Sequence, residues 1–150
     1  CQERFKDFNH IEYIVNDGKS LADVEKDSID FIFSFDSLVH VDMLEMHSYI
    51  EEFYRVLKKD GVCFFHHSNL GEYGADVNSA THLRAENVSA ENIYEVARAT
   101  GFNDIFQECI PWSKDNYNAD VYLDCMTVLK RSSGAEEYEK IYNKNWKRYS

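Results

Sequence analysis

The segment from Ile29 to Phe65 restricts the fold more than any other part of the chain. It opens on a short run, Ile29 to Phe33, in which Asp30 is the only polar residue. A run that short and that apolar reads as a strand buried on both faces. From about Val41 to Lys58 the spacing changes. Met43, Met46, His47, Ile50, Phe53, Tyr54 and Leu57 recur at three- and four-residue steps, which predicts a helix with these side chains, His47 included, on its core face. Asp42 near its start and Arg55, Lys58 and Lys59 near its end suit the helix dipole, and Asp60-Gly61 predicts its stop. Val62 to Phe65 is again apolar and strand-like. Strand, helix and strand in this order form a βαβ unit whose strands should lie parallel in one sheet.

The flanking segments extend the pattern. Residues 2–8 read as the end of a helix, and Ile11 to Val15 as a short strand closed by the turn Asn16-Asp17-Gly18. A connection of some twenty residues runs from Ser68 to Val88, a length typical of lids and binding loops. Ser89 is a good N-cap for a helix to about Thr100, with Gly101 as its C-terminal stop. Strands are predicted within Phe102 to Trp112 and over Val121 to Leu129. No helix separates these two, so they should pair antiparallel at one end of the sheet. Ser132-Ser133-Gly134 is a breaker, and Tyr138, Ile141, Tyr142, Trp146 and Tyr149 mark an amphipathic tail helix. The division is therefore a sheet-forming domain over 1–131 and a helical tail over 132–150.

Net charge is −11 over 150 residues, which argues against nucleic-acid phosphate or an anionic membrane surface as the main partner. No apolar run approaches the ~20 residues of a membrane span, and no signal peptide is visible. Of the four cysteines, Cys63, Cys109 and Cys125 sit inside apolar runs without a CxxC pair, so buried free thiols in a reducing compartment, the cytoplasm, are expected. The histidines and carboxylates show no HxH or HExxH spacing, so no metal site is expected.

Parallel α/β sheets hold ligands at the carboxyl ends of their strands. Polar clusters fall at three such ends: Asn16-Asp17, Ser34 to Asp36, and His66 to Asn69. That recurrence points to a cleft across the ends of the sheet.

The order of elements and the stretch "DSIDFIFSFDSLVHVDMLEMHSYIEEFYRVLKKDGVCFF" resemble the central block of class I S-adenosylmethionine-dependent methyltransferases. The shared features are Ile29-Asp30-Phe31 at a strand start, Leu38-Val39-His40 before a helix, and Glu52 to Lys58 followed by Gly61. "FFHHSN" at Phe64 to Asn69, with Trp112 and Leu123-Asp124-Cys125, is similar to sugar O-methyltransferases. The resemblance implies a partial Rossmann-like sheet, mostly parallel, with an antiparallel C-terminal strand pair and helices on both faces. The family's Gly-rich loop and first two strands have no counterpart after Cys1, so the resemblance also implies a piece of a larger domain. Such a piece would keep a four-stranded sheet, orphan its first strand, and bind S-adenosylmethionine poorly alone.

Site residues follow from the resemblance. Asp17, with Gly18, matches the carboxylate that accepts the adenine amino group. Ser34, Phe35 and Asp36 match the lining of the methionine arm. His40 matches a position facing the methyl-transfer centre, where an imidazole can take a hydroxyl proton near neutral pH. His66 and His67 point to opposite faces, and motif alignment makes His67 the cleft residue and an alternative base. His66, Asn69 and Trp112 are expected near the acceptor, a small molecule with a hydroxyl, sugars included. For Asp124, set inside a strand, a buried structural hydrogen bond is favoured over a substrate role. A homo-oligomer or a preceding segment would complete the fold. The competing reading is a non-catalytic methyltransferase-like binding module.

Overall fold

The computed structural model describes residues 2–73, 83–111 and 122–132. Four strands and two helices follow in the order β1 (Ile29–Leu38), α1 (Met43–Val56), β2 (Leu57–Ser68), α2 (Ala90–Thr100), β3 (Asp104–Ile110) and β4 (Asp124–Lys130). A short 3-10 turn, Leu70–Glu72, lies between β2 and α2. The sheet order is β1-β2-β4-β3. β1 and β2 are parallel, as the βαβ unit requires, and β4 runs antiparallel to both β2 and β3. Three strands therefore share one direction, and the opposed strand lies between two of them. The expected antiparallel pairing of the last two strands is present.

Periodicity explains α1. Met46, Tyr49, Ile50, Phe53 and Val56 are its buried side chains. The first four meet Cys63 and Phe65 of β2, Leu129 of β4, and Ile93 and Ala97 of α2 in one core. His47 leaves that stripe: its side chain is half exposed and lies 3.6 Å from Glu51 one turn on. Its place in the core is taken by Tyr49. α2 starts as predicted, with a reciprocal capping box between Ser89 and Asn92, and ends at Gly101 in the left-handed region, φ 119°.

Both helices pack on the sheet face that carries Ile32, Cys63, Phe65 and Leu129. On the other face Phe31, Phe33 and Phe35 are 57%, 65% and 48% exposed, and Phe33 stacks on Phe64 at 5.4 Å. Among the described residues, then, the expectation of helices on both faces is met on one face only.

Three other expectations are corrected. Residues 11–15, expected as a strand orphaned from the sheet, have no regular secondary structure and join no ladder of the described sheet. Alternating side chains make a strand only when a neighbouring strand supplies hydrogen bonds, and none of the described strands lies beside this segment. Residues 2–7 form turns, not a helix end. α1 stops at Val56, before Asp60-Gly61, because Leu57 already has extended geometry and starts β2. Lys58 to Gly61 bulge from the ladder between the pairs Ile29–Leu57 and Phe31–Val62. A Cβ on Gly61 would lie 2.9 Å from the Lys58 carbonyl oxygen and 3.2 Å from that of Ile29, which explains a glycine there. The tail beyond Ser132 and residues 74–82 lie outside the described residues.

Candidate functional site at the carboxyl end of the sheet

β1 does not stop at Phe33. It continues through the polar stretch to Leu38. Ser34 pairs with Phe65 and Leu38 with His67, so four steps along β1 match two along β2. Phe35, Asp36 and Ser37 therefore bulge at the carboxyl end of the sheet, and bulges re-aim side chains and backbone. Asp36 takes a left-handed conformation, φ 54°. Its N–H donates to His66 Nδ1 at 3.2 Å, and the Phe35 ring lies 5.1 Å from the imidazole.

That hydrogen bond assigns the tautomer of neutral His66. Nδ1 accepts, so the proton sits on Nε2, which lies 3.5 Å from Asp124 Oδ1. Asp124 is fully buried and takes a bidentate pair from Arg84, Nε to Oδ1 at 2.5 Å and Nη2 to Oδ2 at 2.9 Å. Burial pushes the Asp124 carboxyl up, but the facing His66 imidazole and the hydrogen bonds from Arg84 outweigh it and hold the group below the usual carboxylate range. His66, Asp124 and Arg84 thus form a buried polar chain behind the bulge, joined to it through the backbone N–H of the exposed Asp36.

The expectation that His67 faces the cleft is overturned. His67 is on the helix side of β2, fully buried, with its ring 5.3 Å from that of Phe65. Nδ1 donates to the Ser68 carbonyl at 2.7 Å, and Nε2 accepts from the Thr127 hydroxyl at 2.7 Å. Burial drives its pKa down to about 4, so it is a neutral core residue with both nitrogens engaged. Strand alternation correctly separates the two histidines, but β2 is phased so that His66, not His67, lies on the face of the bulge.

His40 occupies a different place. Its Nδ1 donates to the Leu83 carbonyl at 2.9 Å, which leaves the Nε2 lone pair as the basic position of the exposed ring. It borders a cavity of about 460 Å³ together with Asp42 and Leu83 to Asn87. The segment Leu83 to Ala85 is the link between the two clusters. Leu83 holds His40, Arg84 holds Asp124, and Ala85 donates to the Val39 carbonyl at 3.0 Å and accepts from Ser68 Oγ at 2.7 Å.

Asn69 is a scaffold residue. Its Oδ1 accepts from Ala90 N–H at 2.7 Å at the start of α2, and its Nδ2 donates to the Tyr122 carbonyl at 2.9 Å. With the amide engaged at both ends, Asn69 joins three segments rather than presenting itself to an acceptor. Trp112 lies outside the described residues.

Asp17 stands apart, in a groove of about 340 Å³ formed by Ile14 to Asp17 and Ser20 to Val24. Its Oδ1 accepts from the N–H groups of Lys19 and Ser20 at 3.0 and 2.7 Å, which keep its carboxyl below the ordinary range. Gly18 has φ 82° and donates to Asn16 Oδ1 at 3.2 Å, a turn role. Asn16 Nδ2 reaches Tyr49 Oη at 3.4 Å, and Glu52 accepts from Leu21 N–H at 2.7 Å, so the groove is anchored on α1. The groove offers an acceptor that fits part of a nucleoside-like group: an ionised carboxylate accepts from an exocyclic amine, and Asp17 and Asp23 suit a cation.

Residues 1–65 match the family model described as a methyltransferase domain. Solved structures extend the likeness beyond that segment. The PH0226 protein of Pyrococcus horikoshii superposes with a TM-score of 0.59 at 20% identity, over 86% of this chain and 64% of that one. The likeness is one of fold, shared also with a solved SAM-dependent methyltransferase of Archaeoglobus fulgidus at TM-score 0.57 and 11% identity, over 87% of this chain and 72% of that one. A phosphoethanolamine N-methyltransferase 2 of Haemonchus contortus, in complex with S-adenosyl-L-methionine, matches at TM-score 0.54 and 18% identity, over 73% of this chain and 34% of that one. The [4+2]-cyclase SpnF matches at 0.63 and 20%, over 89% and 60%. The chain thus spans less than two thirds of the PH0226, phosphoethanolamine N-methyltransferase 2 and SpnF chains. No curated protein sequence matches it. Among the described residues no helix is long and apolar enough to cross a membrane, and no group of three His, Cys, Asp or Glu could hold a metal ion.

Arg84 is the residue that sequence reasoning missed. It falls in a stretch with no periodicity, and the one hint is Asp124, a strand carboxylate that needs a buried cation.

Proposed function

We propose that this chain carries the acceptor side of an S-adenosylmethionine-dependent methyltransferase acting on a hydroxyl of a small molecule, sugars being the class its motifs resemble. The observation that carries this reading is His40. An imidazole fixed through Nδ1 to a backbone carbonyl presents a basic Nε2 beside an open, acidic cavity at the start of α1. When bound, S-adenosylmethionine supplies a methyl group on a cationic sulfur. Asp17 would accept from the adenine amine, and Ser34 to Asp36 would line the methionine arm. His40 Nε2 would take the acceptor's proton as its oxygen bonds to the methyl carbon and the carbon–sulfur bond breaks. The bulge, held by His66, would supply position rather than acid–base chemistry.

The test is calorimetric titration of S-adenosylhomocysteine into this chain and into the chain extended by any residues encoded upstream. Binding to neither refutes the cofactor reading. With binding present, methyl transfer is screened across hydroxylated small molecules. His40→Ala should lower turnover by roughly 10²–10⁴-fold with cofactor affinity unchanged; full activity would remove His40 as the base.

A second reading, a non-catalytic binding module on the same fold, is favoured by the exposed aromatic face of β1. Folds host unrelated functions, and a cyclase lies among the structural neighbours. Cofactor binding without transfer to any acceptor would favour it.

A further inference from the structure

β3 and β4 place two cysteines directly opposite each other. Cys109 and Cys125 are register partners in the antiparallel ladder, so their side chains lie next to each other on one face of the sheet. Opposed residues in such a ladder have Cα atoms roughly 4.5–5.5 Å apart, inside the ~4.4–6.8 Å range that a disulfide needs. Both thiols are free in the structure, Cys125 fully buried and Cys109 half-buried. Cys63 is differently placed: it pairs with Leu129 on the far side of β4. We propose that Cys109 and Cys125 are an oxidation site, a dithiol that closes to a cross-strand disulfide on exposure to a peroxide.

The order of steps follows from access. Burial pushes the Cys125 thiol well above its ordinary range, so it is a poor first nucleophile. Cys109 is the one a small oxidant reaches. Its thiolate attacks one peroxide oxygen, the O–O bond breaks, and the other oxygen leaves as water after taking the thiol proton. Cys109 is then a sulfenic acid. The Cys125 sulfur attacks the Cys109 sulfur, the S–O bond breaks, and that oxygen leaves as a second water with the Cys125 proton. Two thiols are oxidised by two electrons and one peroxide is reduced to two waters. The new bond ties β3 to β4 beside Asp124, the anchor of Arg84, so oxidation stiffens the strand on which the polar chain rests.

The pair lies in separate tryptic peptides, residues 99–114 and 115–130, which makes the test direct. Reduced protein is treated with stoichiometric hydrogen peroxide, alkylated under denaturing conditions, digested without reductant and analysed by mass spectrometry. The expected product is the two peptides joined with the loss of two hydrogens, released by dithiothreitol, while Cys63 stays alkylated. Cys125→Ser should instead leave a sulfenic acid on Cys109 that dimedone captures, and the oxidised wild type should melt higher than the reduced form. Both thiols fully alkylated after treatment, or Cys109 joined to another cysteine, overturns the proposal.

Discussion

Replacing Arg84 with Met tests the buried polar chain most directly. The side chain is nearly fully buried and its two hydrogen bonds to Asp124 are the bidentate kind. Met keeps most of the volume, so the loss is electrostatic. Removing one partner of a buried pair leaves a desolvated charge and costs about 3–5 kcal/mol. For a chain of this size that lowers the melting temperature by roughly 10–20 °C. His66 Nε2, 3.5 Å from the carboxylate, retains part of the stabilisation and puts the expectation at the lower end. The pH dependence carries the sign. In the wild type the Asp124 pKa is depressed, so its contribution is present above the unfolded value of about 3.9 and is lost as pH falls through the folded value. In Arg84→Met burial prevails and the folded pKa rises above the unfolded one. The native state then binds more protons, and stability falls as pH rises between the two values. Urea denaturation from about pH 7 down towards pH 5 should therefore show the deficit shrinking in acid. Adding Asp124→Asn to Arg84→Met removes the stranded charge and should recover most of the loss at about pH 7. A loss below about 1 kcal/mol, a deficit that ignores pH, or no recovery in the double variant would refute the reasoning.

Two further predictions concern the scaffold. His67, with a folded pKa of about 4 against about 6.5 unfolded, makes the native state bind fewer protons in that window, so stability is full above it and falls by up to ~3 kcal/mol as pH drops through it; in His67→Asn, denaturation midpoints should vary less across the same range. Gly101→Ala places a Cβ 3.1 Å from the Tyr54 ring at φ 119° and should cost ~1–2 kcal/mol in urea denaturation.

Much of the fold was legible in the sequence because it is written in local periodicity. The stripe Met46, Ile50, Phe53 gives α1 its buried face, Ser89 and Gly101 bound α2, and the absence of a helix between β3 and β4 makes them antiparallel. The polar ends of β1 and β2 likewise marked the carboxyl end of the sheet, where the β1 bulge and the His66–Asp124–Arg84 chain lie. Less was legible in the candidate site. His66 and His67 carry identical chemistry at adjacent positions, and their sides follow from the register of β2 between β1 and β4. Arg84 and Asp124 are forty positions apart in sequence, and no spacing rule joins them. Residues 11–15 carry a strand pattern but join no ladder of the described sheet.

Alone, the sequence determined a βαβ unit, a second helix with both of its caps, and the clustering of polar groups at strand ends, because these depend on neighbours within a few residues. The tertiary structure decided which histidine is core and which supports the bulge, and that Asp124 has a buried cation. It also opposed Cys109 to Cys125. Those outcomes depend on strand register and on segments meeting from distant parts of the chain, where burial sets the energy of each charge and proton.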